Sequence, residues 1–178
     1  MESRHERVLK DSGSRTEFET GAVRDLQEGK GRCDLLPLDV VERAFRDIRF
    51  ENMEVAEQTH AANVFGSIHN FTQNGDPINL LKALCEFVRM DKSFGRWTNM
   101  LLEVSVHFED GAKKYGENNW QKGIPVRCYI NSGVRHFIKW LRGDDDEPHD
   151  RAFCWNMLCA IWTCMNKPEL NDYAEVTE

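Results

Sequence analysis

The apolar positions of the chain recur at helical spacing in several separate segments. The first segment follows Pro37, a residue that suits the first turn of a helix, and covers about 38–48. The second has Asp76 as its N-cap and Pro77 as its first helical residue, and apolar residues continue along one face up to Val88. Both segments are therefore predicted to be amphipathic helices.

Three longer segments carry the same pattern. They run from Trp97 to about Tyr115, from about Val126 to Arg142 and from about Asp150 to Asn166. Gly116 and Gly143 follow the first two segments and are typical of helix ends. The third segment is apolar on nearly all sides, which indicates a helix at the centre of a bundle.

The remaining segments have weaker patterns. Met53–Phe65 predicts only a short helix, and the polar stretch SIHNFTQNG that follows predicts a loop. Residues 1–35 lack helical periodicity and are predicted to form an extended, partly disordered arm, with disorder over about the first dozen residues. Residues 36–166 are predicted to form one all-α domain, and 167–178 a polar tail. The predicted fold class is all-α, a helical bundle of about four main helices with an extended N-terminal arm and no convincing strand.

Charge and composition exclude several classes of partner. The 30 acids and 23 bases give a net charge of −7, which argues against a nucleic-acid backbone as partner. The N-terminus lacks the apolar stretch of a secretory signal, and the longest uncharged run, Ala152–Asn166, is shorter than the roughly 20 residues that cross a bilayer. A cytoplasmic protein with no membrane partner is expected. The six cysteines include no Cys-x-x-Cys pair and are expected to be reduced.

A polar stripe on the segment 97–115 offers candidate chemistry. Glu103, His107, Asp110 and Lys114 follow one another at helical spacing, so they share one face. A solvated, salt-bridged face is one interpretation. However, Glu103 lies within the apolar sequence MLLEVSV, where a carboxylate needs a partner or a metal ion.

An acidic turn, DDDEPHD, precedes the last helix over 144–150. A magnesium ion prefers oxygen ligands and would relieve the repulsion between these acids, of which Glu147 and Asp150 are three residues apart. Capping of the positive end of the helix is the alternative interpretation. Acidic groups on two separate helices of one bundle favour a metal site between them.

A loop rich in cations, amides and aromatic residues covers 113–123. Its lysines can bind phosphate oxygens, its asparagine amides can read the edge of a base, and Tyr115 and Trp120 can stack on the base. Trp120 is equally suited to closing the end of the bundle.

A basic stripe and a lone amide follow on the last two helices. Arg135, Lys139 and Arg142 can balance the charge of a triphosphate, or else complement the acidic turn. Asn156 lies in an apolar stretch, so its amide either ties two helices together or contacts a ligand. Motifs of other hydrolases are missing, because the sequence has no Walker P-loop, no HExxH helix and no GxSxG elbow.

Three long segments of the chain resemble one known family. FEDGAKKYGENNWQKGIP (108–125), RHFIKWLRGDDDEPHDRAF (135–153) and GAVRDLQEGKGRCDLLPLDVV (21–41) are similar to the phage-encoded dATP/dGTP diphosphohydrolase N-terminal domains. The resemblance covers about 12–48 and 98–165, and leaves 49–97 unaligned.

That family is more distantly similar to the MazG-like all-α NTP pyrophosphohydrolases. These enzymes hold magnesium with an E-x-x-E pair on one helix and an E-x-x-D pair on another. Glu147 and Asp150 match the second pair, whereas Glu103 is followed three residues later by Val106 in place of the second acid.

The resemblance implies a hydrolase of purine deoxynucleoside triphosphates, dGTP or dATP, that depends on Mg²⁺, with Mn²⁺ as the alternative ion. The expected metal ligands are Glu103, Asp110, Glu147 and Asp150, and the expected catalytic residues are Glu103, Lys114 and Arg135. The expected substrate-binding residues are Lys113, Tyr115, Asn118, Asn119, Trp120, Lys122, His136, Lys139 and Asn156. A homo-oligomer, a dimer or a tetramer, is expected to complete the site. The alternative function is a non-catalytic phage protein that sequesters a nucleotide or a nucleotide-derived defence signal.

Overall fold

A computed structural model describes residues 13–174 of the chain. Apart from one short hairpin, this part of the chain is all-α, which confirms the predicted fold class. The helices are α1 (Leu38–Asp47), α2 (Val55–Asn74), α3 (Pro77–Met90), α4 (Trp97–Tyr115), α5 (Val126–Arg142) and α6 (His149–Asn166). Short 3-10 turns cover Cys33–Leu35, Asn119–Lys122 and Pro168–Leu170. The predicted disorder before residue 13, and the last residues of the predicted tail, lie outside the described residues.

Helix α2 is much longer than the sequence pattern predicts. The stretch SIHNFTQNG, predicted to be a loop, is helical up to Asn74, so that prediction was wrong. The helix continues because Ile68 and Phe71 are fully buried, while the polar residues between them lie on its outer side. It ends at Gly75, whose φ of 66° is the left-handed conformation that glycine adopts most easily. With α1 and α2 included, the described residues form six helices rather than about four.

The core of the bundle is an aromatic cluster between α3, α5 and α6. The ring of Phe87 lies 4.6 Å from that of Phe153, 5.9 Å from that of Phe137 and 5.0 Å from that of Trp140, measured between centroids. Helix α6 packs against α3, α4 and α5, as predicted for a helix at the centre of the bundle. The first residues of α6, from His149 to Phe153, are all buried. The acidic turn that precedes them therefore lies at the edge of the core.

The N-terminal arm contains the two strands that the sequence pattern did not predict. Strand β1 (Arg15–Glu17) pairs antiparallel with β2 (Val23–Asp25), and Thr16 lies opposite Arg24. Three-residue strands are too short to show a period of two, which explains why they were missed. Ala22 is fully buried, so the arm is packed against the bundle at this point.

All six cysteines are free thiols, and Cys154 and Cys159 are buried in α6. Between residues 13 and 174, no helix combines the length and the apolar character that crossing a membrane requires.

Candidate functional site

A pocket of about 720 Å³ opens where the arm meets one end of the bundle. Its walls come from β2, the C-terminal half of α4, the loop around Asn119–Lys122, the middle of α5 and the start of α6. A volume of several hundred Å³ suits a ligand of nucleotide size. The pocket is therefore the candidate functional site of the described residues.

Asn119 connects the β1–β2 hairpin to the loop around Asn119–Lys122. Its Oδ1 accepts a hydrogen bond from the backbone N–H of Val23 at 2.9 Å, and its Nδ2 donates to the carbonyl oxygen of Val23 at 2.7 Å. The amide thus acts like one residue of a neighbouring strand. The side chain of Thr20 also donates to the carbonyl oxygen of Gly123. These bonds determine where β2 lies along the pocket wall.

Arg24 of β2 extends across the pocket wall. Its Nη2 donates to Oδ1 of Asn156 at 2.7 Å, and its guanidinium lies 5.1 Å from the ring of Tyr129 and 5.8 Å from that of Trp155. Its Nη1 is buried and has no hydrogen-bond partner among the described residues. A buried N–H that lacks a protein acceptor is uncommon, and an ordered water molecule, an ion or a ligand is its usual partner.

Arg135 of α5 presents a second such group. Its Nη2 donates to Oγ of Ser132 at 2.8 Å, and its Nη1 is likewise buried without a hydrogen-bond partner in the described part of the chain. Burial lowers the pKa of Arg135, and the positive charge of Arg24 lowers it further, against a smaller opposing effect of Glu147. Two neighbouring arginines therefore line the pocket, and each has one buried N–H group without an acceptor among the described residues.

Asp25 anchors the other end of β2 to the end of α4. Lys114 Nζ donates to one carboxylate oxygen of Asp25 at 2.8 Å, and the Tyr115 hydroxyl donates to the other at 2.6 Å. Burial raises the pKa of Tyr115, and the hydrogen bond to Asp25 raises it further, so the phenol stays protonated at neutral pH. Lys114 and Tyr115 line the pocket, but both also hold the arm in place.

A cluster of histidines and carboxylates lies where α5 meets the start of α6. Nδ1 of His136 is 2.9 Å from Nδ1 of His149, and Nε2 of His149 is 2.8 Å from Oδ1 of Asp146. One ligand atom from each of His136, Glu147 and His149 lies within 4.8 Å of the others, and Asp144, Asp146 and His149 form a second such group. These groups could hold a divalent metal ion. Burial lowers the pKa of His136 well below its usual value, with a further contribution from His149, so its ring is neutral at pH 7.

His107 occupies the side of α4 that faces α6. It is only 6% exposed, and its ring centroid lies 5.8 Å from that of Trp155. Burial lowers its pKa to about 3, helped by the charge of Arg151 and opposed by that of Asp150. His107 is thus neutral at physiological pH, and Asp150 and Arg151 are close enough to act on it.

The pocket brings together most of the predicted site residues, including seven of the nine predicted to bind substrate. Those that line it are Lys114, Tyr115, Asn118, Asn119, Trp120, Arg135, His136, Lys139, Glu147 and Asn156. Those that do not line it are Glu103, Asp110, Lys113, Lys122 and Asp150.

The four predicted metal ligands lie on α4, in the acidic turn and in the first turn of α6. Glu147 is the one predicted ligand within the histidine and carboxylate groups found among the described residues. Glu103 and Asp110 lie on α4, where Asp110 is 4.0 Å from Nζ of Lys113, and Asp150 lies in the first turn of α6 beside His107. Among the described residues, these four carboxylates do not form a group whose ligand atoms all lie within 4.8 Å of one another.

Several other predicted residues have structural partners. Lys113 pairs with Glu109 at 2.5 Å, and Lys122 donates to the carbonyl oxygen of Gly21 at 3.3 Å. Lys139 pairs with Asp146 at 3.2 Å, as the interpretation of a charge-complementing stripe indicated.

Both alternatives considered for Trp120 and Asn156 have support. The Trp120 ring packs 5.4 Å from that of Phe108 and 5.0 Å from that of Trp162, and Trp120 also lines the pocket. Asn156 donates to the carbonyl oxygen of Ala152 at 2.7 Å, yet its Oδ1 positions Arg24 at the pocket.

Residues of the arm are the part of the site that the sequence pattern did not predict. The pocket lining includes Arg24, Asp25, Gln27 and Lys30, and the metal-capable cluster includes His149. The arm residues carry no periodic signal, and their contacts reach residues about a hundred positions away along the chain. His149 lies within the acidic turn DDDEPHD. The predicted metal ligands include two acids of this turn but not the imidazole of His149.

Replacing Asn119 with Ala is expected to loosen the arm. The two hydrogen bonds to Val23 are lost and its backbone groups stay partly buried, at a cost of about 1–3 kcal/mol. Hydrogen exchange at the Val23 amide should become faster. Asn166→Ala, at the exposed end of α6, is the matched control, and equal exchange rates in the two variants would contradict this role.

Half of the chain matches a known family. A sequence model of the family described as dATP/dGTP diphosphohydrolase, N-terminal, matches residues 85–173, which is half of the chain. The match includes α4, α5 and α6 and the loop around Asn119, and does not extend to the arm. No match was found among the curated proteins or among the solved structures.

Proposed function

Because the chain belongs to the dATP/dGTP diphosphohydrolase N-terminal domain family, we propose that it hydrolyses purine deoxynucleoside triphosphates, dGTP or dATP, with a divalent metal ion. In this proposal the protein acts on the nucleotide pool in the cytoplasm of a phage-infected host cell. The observation that carries the proposal is the pair of half-buried arginines, Arg24 and Arg135, that line a pocket of nucleotide size and each keep one buried N–H group without an acceptor among the described residues.

The phosphate chain is proposed to bind at the two arginines. Each contributes an N–H group without a protein partner among the described residues, and the two positive charges destabilise each other until an anion binds. Lys114 and Lys139 border the same pocket, and each is held by a carboxylate, Asp25 and Asp146 respectively. A triphosphate supplies hydrogen-bond acceptors for the two arginine N–H groups that have none among the described residues.

The base is proposed to bind near the loop that follows α4, which also lines the pocket. Trp120 offers an indole ring at the pocket wall, and the exposed Asn118 offers an amide. Asn118 has a φ of 55°, a left-handed conformation that few residues other than glycine adopt and that asparagine tolerates best. The amide of Asn119 is committed to Val23, so we assign base recognition to Asn118.

The donor atoms at the pocket do not fit Mg²⁺ as a resident ion. Mg²⁺ demands oxygen ligands in octahedral geometry, whereas the group at the pocket supplies two imidazole nitrogens for one carboxylate. Mg²⁺ or Mn²⁺ is proposed to arrive on the triphosphate itself. Glu103 and Asp110 on α4, and Asp150 at the start of α6, stay predicted metal ligands. Variants of these residues test that prediction.

The reaction proposed is attack of water on a phosphorus atom of the triphosphate. The new bond joins the water oxygen to the α-phosphorus, the bond from that phosphorus to the bridging oxygen of the leaving diphosphate breaks, and the proton of the water passes to solvent, which yields a deoxynucleoside monophosphate and diphosphate. Arg24 and Arg135 stabilise negative charge as it develops on the phosphate oxygens. The buried walls of the pocket keep both groups oriented before the substrate binds.

The test is to incubate the pure protein with each of the four dNTPs and Mg²⁺ or Mn²⁺ and to separate the products by chromatography. We expect dGTP and dATP to yield monophosphate and diphosphate, and dCTP and dTTP to react far more slowly. Intact nucleotides with saturable binding by calorimetry would instead indicate a sequestering protein. The residue that favours this second function is Val106, which stands three residues after Glu103 in place of a second acid.

The protein is further proposed to form a homo-oligomer, a dimer or a tetramer. On α4 the side chains of Leu101 and Leu102 are 51% and 70% exposed, and Trp97 at its start is 37% exposed. Neighbouring exposed apolar side chains on one helix favour an interface. Light scattering should give a mass above 20.7 kDa, and Leu102→Glu should lower it to that of one chain. A wild-type mass of 20.7 kDa at micromolar concentration would contradict self-association.

A further inference from the structure

Two histidines, His136 of the pocket lining and His149 behind it, meet where α5 approaches the start of α6. Their Nδ1 atoms lie 2.9 Å apart, and His149 is only 1% exposed. Two imidazole nitrogens at this distance either share one proton or point both lone pairs at one cation. The surrounding groups decide between these arrangements.

Asp146 determines which nitrogen of His149 carries the proton. Its Oδ1 lies 2.8 Å from Nε2 of His149, and a carboxylate can only accept a hydrogen bond, so Nε2 is protonated. In the neutral ring, Nδ1 then carries a lone pair. A carboxylate that orients a histidine for a metal through the opposite nitrogen is the usual outer arrangement of metal sites.

Glu147 completes the group with a negative charge. Its carboxylate oxygen and one nitrogen each of His136 and His149 lie within 4.8 Å of one another. Ligands that bind one ion at about 2.0–2.2 Å must lie within about 4.4 Å of each other, so the spacing allows a common ion after small side-chain adjustments. Glu147 and His136 line the pocket, so such an ion would face the substrate.

The second group around His149 is a weaker candidate. Asp144 is held by both nitrogens of the Arg142 guanidinium fork, and Asp146 is paired with Lys139. These acids already have cationic partners. Glu147 lies near enough to Arg135 to act on its pKa but forms no salt bridge among the described residues, so the group of His136, Glu147 and His149 is the stronger candidate.

We propose that His136, Glu147 and His149 form a binding site for a late first-row transition-metal ion, such as Co²⁺, Fe²⁺ or Zn²⁺, with Asp146 as the positioning residue for His149. Two imidazoles and one carboxylate are the ligands that such ions prefer, and a site with three protein ligands leaves coordination positions for water or a phosphate oxygen. The inference rests on the proposed function for the role of the ion, but not for its presence.

The test measures metal binding directly, in untagged protein without nucleotide. Calorimetry and visible absorption should show one Co²⁺ bound per chain, with affinity at least about tenfold higher than that for Mg²⁺. His149→Gln should abolish this binding. Asp146→Asn should weaken it by about 10- to 100-fold, because the histidine loses the group that orients it.

His60→Gln is the matched control, because His60 is a half-buried histidine that also pairs with a carboxylate, Glu86, but lies on α2. It should bind Co²⁺ like the wild type. Circular dichroism of each variant separates loss of a ligand from loss of the fold, and the partly exposed Asp146 provides a variant that leaves the core untouched.

Equal affinity for Co²⁺ and Mg²⁺, or unchanged Co²⁺ binding in both His149→Gln and Asp146→Asn, would overturn the proposed site. The proposed function fails separately, if no dNTP is cleaved with any ion. In that case site-specific Co²⁺ binding would still stand.

Discussion

Glu147→Gln is expected to lower the turnover of dGTP or dATP by about 100-fold or more. Gln keeps nearly the same shape but removes the negative charge that lies beside His136, His149 and Arg135 at the pocket. Glu147 is a ligand of the proposed metal site, and loss of a metal ion that stabilises the negative charge developing on the phosphate oxygens has effects of this order on catalysis. Steady-state kinetics with chromatographic detection of the monophosphate gives the result.

Asp145→Asn is the matched control, because Asp145 is an exposed acid in the same turn and does not line the pocket. Its kcat should equal that of the wild type. Turnover that survives Glu147→Gln unchanged would contradict a role for the acidic turn.

Glu103→Gln separates the two sets of predicted metal ligands. If α4 supplies a ligand, as the sequence predicts, this variant should lose turnover as severely as Glu147→Gln. Normal turnover in Glu103→Gln with loss in Glu147→Gln would limit the catalytic carboxylates to the α6 side of the bundle.

The helices with strong end signals were predicted from the sequence almost to the residue. Trp97–Tyr115 and Val126–Arg142 were predicted with the observed limits, because glycines follow both helices. Asp76 accepts a hydrogen bond from the N–H of Ile78, which confirms it as the N-cap of α3. These signals are local, so one sequence is enough to find them.

The orientation of α4 could not be predicted from its apolar positions. Leu101 is one of the apolar positions at helical spacing in this segment but is 51% exposed, while His107 of the polar stripe is 6% exposed. The side of α4 that faces inward borders α6 and the polar pocket, so burial there does not require apolar residues. A helix that lines a binding site thus shows a misleading pattern.

The candidate site was predictable only where its residues are close in sequence. Many predicted substrate-binding residues lie in the loop after α4 or on α5, and they do meet at one pocket. Arg24 and Asp25 reach this pocket through hydrogen bonds to Asn156 and Lys114, which lie far along the chain. Such pairings depend on the folded arrangement and leave no periodic pattern in the arm.

Arg24→Met is expected to weaken nucleotide binding by about 30-fold or more. The change removes a buried positive charge whose Nη1 has no hydrogen-bond partner among the described residues, so a bound phosphate loses a charge-assisted hydrogen bond. Loss of one partner from a buried, hydrogen-bonded charge pair costs about 2–5 kcal/mol, and 2 kcal/mol corresponds to roughly 30-fold in Kd. Calorimetry with a non-hydrolysable dGTP analogue measures the change.

The ligand-free protein should respond differently to the same substitution. Removing Arg24 relieves its repulsion of Arg135, while the loss of its hydrogen bond to Asn156 acts in the opposite direction, so the free energy of unfolding should change less than the binding energy. Arg43→Met is the matched control, because Arg43 is an exposed arginine on α1 that pairs with Asp47 away from the pocket. Equal affinity in Arg24→Met and Arg43→Met would show that the phosphates bind elsewhere, whereas selective loss in Arg24→Met would make the arm part of the nucleotide site.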